Sequence, residues 1–176
     1  GRDWLDLSTG INPHAWPGAD SAAIDWRSLP EPEALASLEA AAAAHFGVSE
    51  GRLCALPGTE IGLRLLGGLL PRDAVHLAPG YRTHAEAISG SRAIGMGELE
   101  DAARSGLTIL LANPNNPDGR FIAPDRLLEC AALARDSGGW LVVDEAFADC
   151  LAGASLAGEV GEGLPLVLLR SFGKFF

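Results

Sequence analysis

Short runs that are apolar along their whole length recur through this sequence, at 53–56, 74–78, 107–112, 140–143 and Leu166–Leu169. Helical stretches separate them, at 60–70, 83–89 and 124–136. A strand that is apolar on both sides has no face to offer to water, so it belongs in a sheet covered on both faces. Alternation of such strands with helices predicts an α/β fold: a mainly parallel sheet flanked by helices, joined by right-handed crossovers. One more helix is predicted at 33–46, "EALASLEAAAAAHF", where alanine favours helix and Gly47 stops it. The stretch before it is rich in Pro, Gly, Trp and Asp and reads as an extended arm with turns. The predicted division is therefore an arm over 1–32 and one domain over 33–176.

With 176 residues, 48% of them hydrophobic, the chain can bury one sizeable core. Its formal net charge of -10 argues against a nucleic-acid partner, because binding a phosphate backbone needs a basic face. Cys54, Cys130 and Cys150 are odd in number and far apart, so they make neither a disulfide framework nor a CxxC metal site. They read as buried thiols of a protein in the reducing cytoplasm. No apolar run is long enough to span a membrane, and no signal peptide is evident.

In parallel α/β sheets, sites form beyond the carboxyl ends of the strands. The segments there are "PGTE", "PGYRTH", "NPNNPDGR", "DEAFAD" and "RSFGK". "PGTE" opens a helix, and backbone N–H groups at a helix start, with a glycine allowing close approach, can hold an anion. A simple helix cap is the alternative. Asp144 follows the apolar "WLVV", and a carboxylate there needs a cationic or hydrogen-bonding partner, such as a protonated ring nitrogen or a metal. His14, His45, His76 and His84 are scattered, with none beside these acids in sequence, so no metal is expected. "NPNNPDGR" is a tight turn carrying more Asn than a turn requires. Lys174 stands isolated in "SFGKFF", either as a snorkelling surface residue or as an amine nucleophile. An anion site, an aromatic, an Asn turn, a strand-end acid and a lysine, in that order, are what a pyridoxal phosphate site requires. That cofactor has a phosphate, a flat ring, a phenolic oxygen, a ring nitrogen and an aldehyde, each needing a different partner.

"PNNPDG", "VVDEAF" and "SFGK", in this order and spacing, resemble the fold-type-I pyridoxal-phosphate enzymes, the aspartate aminotransferase superfamily. Within it, "DLSTGINPHAWP", "PGYRTHAEA" and "RSFGKFF" are similar to the threonine-phosphate decarboxylases of cobalamin biosynthesis, relatives of the histidinol-phosphate aminotransferases. The resemblance implies roles residue by residue. Lys174 would attach covalently to the cofactor and later move protons. Asp144 would hold the ring nitrogen, Asn116 the ring oxygen near the substrate carboxylate, and Tyr81 would stack on the ring. Thr59 and Glu60, through their N–H groups beside Gly58, would bind the phosphate, with the Ser171 hydroxyl. Gly10, in the arm, would touch substrate. Phe147 stands where many aminotransferases carry a Tyr whose hydroxyl holds the ring oxygen.

The resemblance also implies a homodimeric parent and a phosphorylated amino acid as substrate. The reaction expected is decarboxylation of O-phospho-L-threonine to aminopropanol phosphate. The alternatives are a histidinol-phosphate-type aminotransferase, or a non-catalytic cofactor-binding fragment. It implies further that the chain is the arm and most of the large domain of a longer enzyme, without its C-terminal small domain, and by itself inactive.

Overall fold

The computed structural model describes residues 9–161 and 163–175. Its centre is a sheet of β1 (Ala74–Leu77), β2 (Arg92–Ile94), β3 (Thr108–Ala112), β4 (Trp140–Asp144) and β5 (Leu166–Leu169), in the order β2-β1-β3-β4-β5. All four pairings are parallel. The continuous apolar runs have the explanation given above. Ile109, Leu111, Leu141 and Val143 face one side, into a core closed by α4 (Leu99–Arg104) and α5 (Pro124–Ser137). Leu110, Val142 and Leu169 face the other, beneath Leu63 of α2 (Thr59–Leu69) and Ala87 of α3 (Arg82–Ala87). Adjacent residues of one strand thus enter opposite cores, which is why no polar alternation is visible in the sequence.

The register sets the site. Asp144, the last residue of β4, lies between Ala112 of β3 and Leu169 of β5. Three strands therefore end level with one another, and the segments that follow them emerge along one edge.

The helix α1 (Pro32–Phe46) ends where expected: Gly47 takes a left-handed φ of 71° and its N–H closes on the Ala43 carbonyl. Only Ala42 and Ala43 of its residues are buried, so composition more than packing makes it helical. The last turn does carry one contact of consequence. Phe46 stacks on Phe172 at 5.4 Å between ring centroids, and the Arg170 guanidinium lies 4.7 Å from the Phe46 centroid.

Three expectations need correction. The run 53–56 is not a strand of the sheet. Leu53 is extended, but the Ala55 N–H is taken by the Glu39 carboxylate of α1, at 2.8 Å. A cavity of about 590 Å³ lies between this segment and β5, lined by Leu53–Leu56 and Leu166–Leu169. An extended segment without a neighbouring edge has no ladder to join. Second, the thiols are not all buried: Cys130 is, whereas Cys54 and Cys150 are exposed. Third, β2 and α4 were not foreseen. The former has three residues with only Ile94 buried, and the latter has six. Among the described residues no helix is long and apolar enough to cross a membrane.

Candidate active site

Asp144 is 6% exposed, at the floor of a depression beyond the strand ends. One carboxylate oxygen, Oδ1, accepts the Ala146 N–H at 3.1 Å. The other, Oδ2, lies 3.3 Å from Nε2 of His84, a residue of α3 that is itself 1% exposed. The other ring nitrogen of His84, Nδ1, is buried without a partner among the described residues. A carboxylate facing Nε2 and an unpartnered Nδ1 together favour the tautomer that carries its proton on Nε2 and donates it to Asp144. The reading from sequence found no histidine beside the strand-end acids; the fold brings His84 there. One signal was available, since His84 falls three residues after Tyr81 and so on the same side of a helical turn. No group of three side chains that could hold a metal ion exists among the described residues.

Above Asp144, Tyr81 meets His84 edge to face, with centroids 5.7 Å apart. Its hydroxyl donates to Oε2 of Glu60 at 3.1 Å, and Thr83 Oγ1 donates to the same oxygen at 2.7 Å. Arg64 holds the other oxygen of Glu60, at 2.7 Å from Nη2. These contacts, first the Thr83 hydroxyl and then Arg64, hold the Glu60 carboxyl below its ordinary value. Glu60 thus ties the start of α2 to the start of α3. Gly58 precedes α2 with φ +107°, a conformation that favours glycine, and no described side chain caps the helix. The first-turn N–H groups of α2 therefore lack an intrahelical partner on the cavity side.

The turn after β3 divides its asparagines between two tasks. Asn113 is buried and closes the turn on itself, donating to the Ile122 carbonyl at 3.0 Å and accepting from the Ile122 N–H at 2.8 Å. Asn115 donates to the Pro79 carbonyl at 2.9 Å and to Asp118 at 2.7 Å. Asn116 is exposed and borders the cavity.

Lys174 closes the far side. Its Nζ lies 5.9 Å from the centroid of the Phe147 ring, at the outer limit of a cation–π contact. Its main-chain carbonyl accepts the Asn12 N–H at 2.9 Å. Ser171 lies at the same rim, its hydroxyl oxygen accepting the Gly173 N–H at 3.1 Å.

One cavity of about 300 Å³ is lined by Gly58, Thr59, Glu60, Tyr81, Asn116, Asp144, Phe147, Ser171 and Lys174, with Ala112, Ala146 and Gly173. Every site residue named from the sequence, except Gly10, is in that lining. Gly10 rests on its wall: a Cβ there would come within 2.8 Å of Cζ of Phe147.

Behind the floor runs a second polar group that the sequence did not reveal. Glu145 is fully buried. It accepts from Ser155 Oγ at 2.6 Å, from the Leu156 N–H at 2.8 Å and from Arg170 at 3.1 Å. Arg170 also donates to Asp149 at 2.7 Å. Successive strand residues alternate in direction, so Asp144 turns to the cavity and Glu145 turns away from it.

The model of the aminotransferase class I and II family matches residues 2–176. The chain belongs to that family. Among its relatives, a threonine-phosphate decarboxylase of Pseudomonas aeruginosa is 41% identical over 99% of this chain and 53% of its own length. A histidinol-phosphate aminotransferase of Sinorhizobium fredii is 32% identical over 98% of this chain and 51% of its own. The solved structure of a histidinol-phosphate aminotransferase from Sinorhizobium meliloti in complex with pyridoxal-5'-phosphate superimposes with a TM-score of 0.65. It shares 25% identity and covers 78% of this chain and 42% of that one. The chain spans about half the length of the curated relatives it matches.

Proposed function

We propose that the protein uses pyridoxal phosphate to decarboxylate O-phospho-L-threonine, giving aminopropanol phosphate for cobalamin biosynthesis in the cytoplasm. The observation that carries the cofactor is the single cavity bordered by both Asp144 and Lys174. The observation that favours decarboxylation is the 41% identity to the Pseudomonas decarboxylase. The donor set suits the cofactor. Uncapped N–H groups at Thr59 and Glu60, with Gly58 leaving open space beside them, suit a phosphate. Tyr81 offers a ring face, Asn116 an amide for the phenolic oxygen, and Asp144 a buried acceptor for a protonated ring nitrogen.

When bound, pyridoxal phosphate supplies an electron sink for the pair released as a bond to the substrate α-carbon breaks. The chain's residues determine how well that sink works. Asp144 would keep a proton on the cofactor's ring nitrogen, because a buried anion favours a cationic partner. His84 fixes the direction of the Asp144 carboxylate by its contact at Oδ2. Glu60 fixes Tyr81 by accepting from its hydroxyl. Lys174 supplies the amine that holds the cofactor and carries protons at its Nζ. Phe147 offers no hydroxyl, so Asn116 bears the phenolic oxygen without help from that position. Gly10, against Phe147, borders the space left for substrate.

We also propose a homodimer. Ile61, Leu65 and Leu69 form an exposed apolar stripe along α2, and Leu35 and Leu38 are exposed on α1. A histidinol-phosphate-type amino transfer is the second reading, favoured by the 32% identical relative. The test is direct: the full-length protein with pyridoxal phosphate should release CO2 from O-phospho-L-threonine. Amino transfer to 2-oxoglutarate from histidinol phosphate, without CO2 release, would replace the first reading with the second.

A further inference from the structure

We infer that Asn12 is a positioning residue for the Lys174 amine, acting through the main chain of the lysine loop. The inference rests on the reading of Lys174 given above and extends it to the arm. Lys174 lies outside any strand or helix, so no ladder fixes its backbone. Two hydrogen bonds from Asn12 hold it instead. The Asn12 N–H donates to the Lys174 carbonyl at 2.9 Å, and Nδ2 donates to the Phe175 carbonyl at 2.6 Å. Oδ1 of the same amide accepts the His14 N–H at 2.9 Å. A carbonyl can only accept and an N–H only donate, so these two partners fix which way the amide faces. The same stretch of arm reaches the other support of the amine. Gly10 packs on Phe147, and the Phe147 ring is the surface beside which Lys174 Nζ lies. Residues 10–12 thus touch both the backbone that carries the amine and the ring next to it. Asn12 borders the lysine loop rather than the cavity, and its effect on chemistry passes through Lys174.

The reacting step is a condensation. The neutral Lys174 amine adds its electron pair to the aldehyde carbon of pyridoxal phosphate, a C=N bond forms, and the carbonyl oxygen leaves as water. No oxidant or reductant takes part. Its rate, followed by absorbance against cofactor concentration, separates into an encounter constant and a limiting rate. The encounter depends on the phosphate and ring contacts. The limiting rate depends on where the amine stands.

Asn12→Asp keeps an acceptor for the His14 N–H and removes the donor to Phe175. We expect the limiting rate to fall about tenfold with the encounter constant held within about twofold. Asn12→Ala should do the same, at a thermal midpoint close to that of the unsubstituted protein. Since Lys174 is the only lysine in the sequence, borohydride reduction and peptide mapping assign the adduct unambiguously. An unchanged limiting rate in both variants overturns the inference. So does a fall in both constants together with the thermal midpoint, which would mark Asn12 as merely structural. If the unsubstituted protein forms no adduct at Lys174, the reading of the lysine itself has failed, and the inference falls with it.

Discussion

The two ends of the cavity are built differently. At the acid end, Asp144 belongs to a strand paired on both sides, and its carboxylate meets a buried histidine. Directly behind it, Glu145 and Arg170 are an ion pair with 0% and 12% of their side chains exposed. At the amine end, Lys174 is half-buried and sits in a turn, its backbone held by hydrogen bonds from a distant arm. The difference fits the roles proposed for the two groups. An acid that stabilises one charge works best immobile, on a rigid element with a supporting shell. An amine that must reach, bond and let go works best on a loop whose position is adjustable.

Substitutions can break this contrast. Lys174→Ala should have the largest effect: the mass gained on borohydride reduction with pyridoxal phosphate should vanish, measured on the intact protein. Retention of that mass gain would place the adduct on the N-terminal amine, since the sequence holds no other lysine, and would remove Lys174 from the site. Next, Glu145→Ala should lower unfolding free energy in urea by about 3–5 kcal/mol, because it removes one of the two carboxylates that hold the buried Arg170 and leaves the Ser155 hydroxyl and Leu156 N–H without their acceptor. A loss below about 1 kcal/mol would show that the acid end is no more rigid than the amine end. His84→Ala should cost less, about 1–3 kcal/mol, through the unmet needs of the Asp144 carboxylate. It should also weaken pyridoxal phosphate uptake, read as the titration midpoint. The smallest effect is expected at the rim and depends on pH. Glu60 is held below its ordinary value of 4.5, so its contribution is full above that pH and is lost as pH falls through the lower folded value. Glu60→Gln should flatten that part of the acid unfolding curve. An unaltered curve would mean that its hydrogen bonds with Tyr81 and Thr83 add nothing to stability.

The same contrast separates what sequence could reveal from what it could not. The inner strands were legible because 107–112 and 140–143 are apolar at every position, a pattern that only double coverage explains. Asp144 was legible because an acid ending such a run is costly without a partner. Its partner was not, because His84 lies 60 residues away and its one local signal, the spacing from Tyr81, does not point to Asp144. Run 53–56 looks like a strand for the same reason as the others, but pairing needs a neighbour, and apolar composition does not supply one. Asn113 and Asn115 show the converse: residues that look functional in a dense turn prove to brace it, Asn113 on the Ile122 backbone and Asn115 on Asp118 and the Pro79 carbonyl, leaving Asn116 to the cavity. The grip of Asn12 on the lysine loop spans almost the whole chain, and no spacing rule anticipates it.

Ala112, Asp144 and Leu169 stand abreast, and the lysine loop follows the last of the three strands. Nothing that lines the cavity at residues 58 to 116 encloses anything until that strand docks. On a ribosome adding 5–20 residues per second, the early walls wait on the order of ten seconds for the final one. On the proposed reading, pyridoxal phosphate finds no complete seat until the strand that carries the lysine loop has emerged and docked.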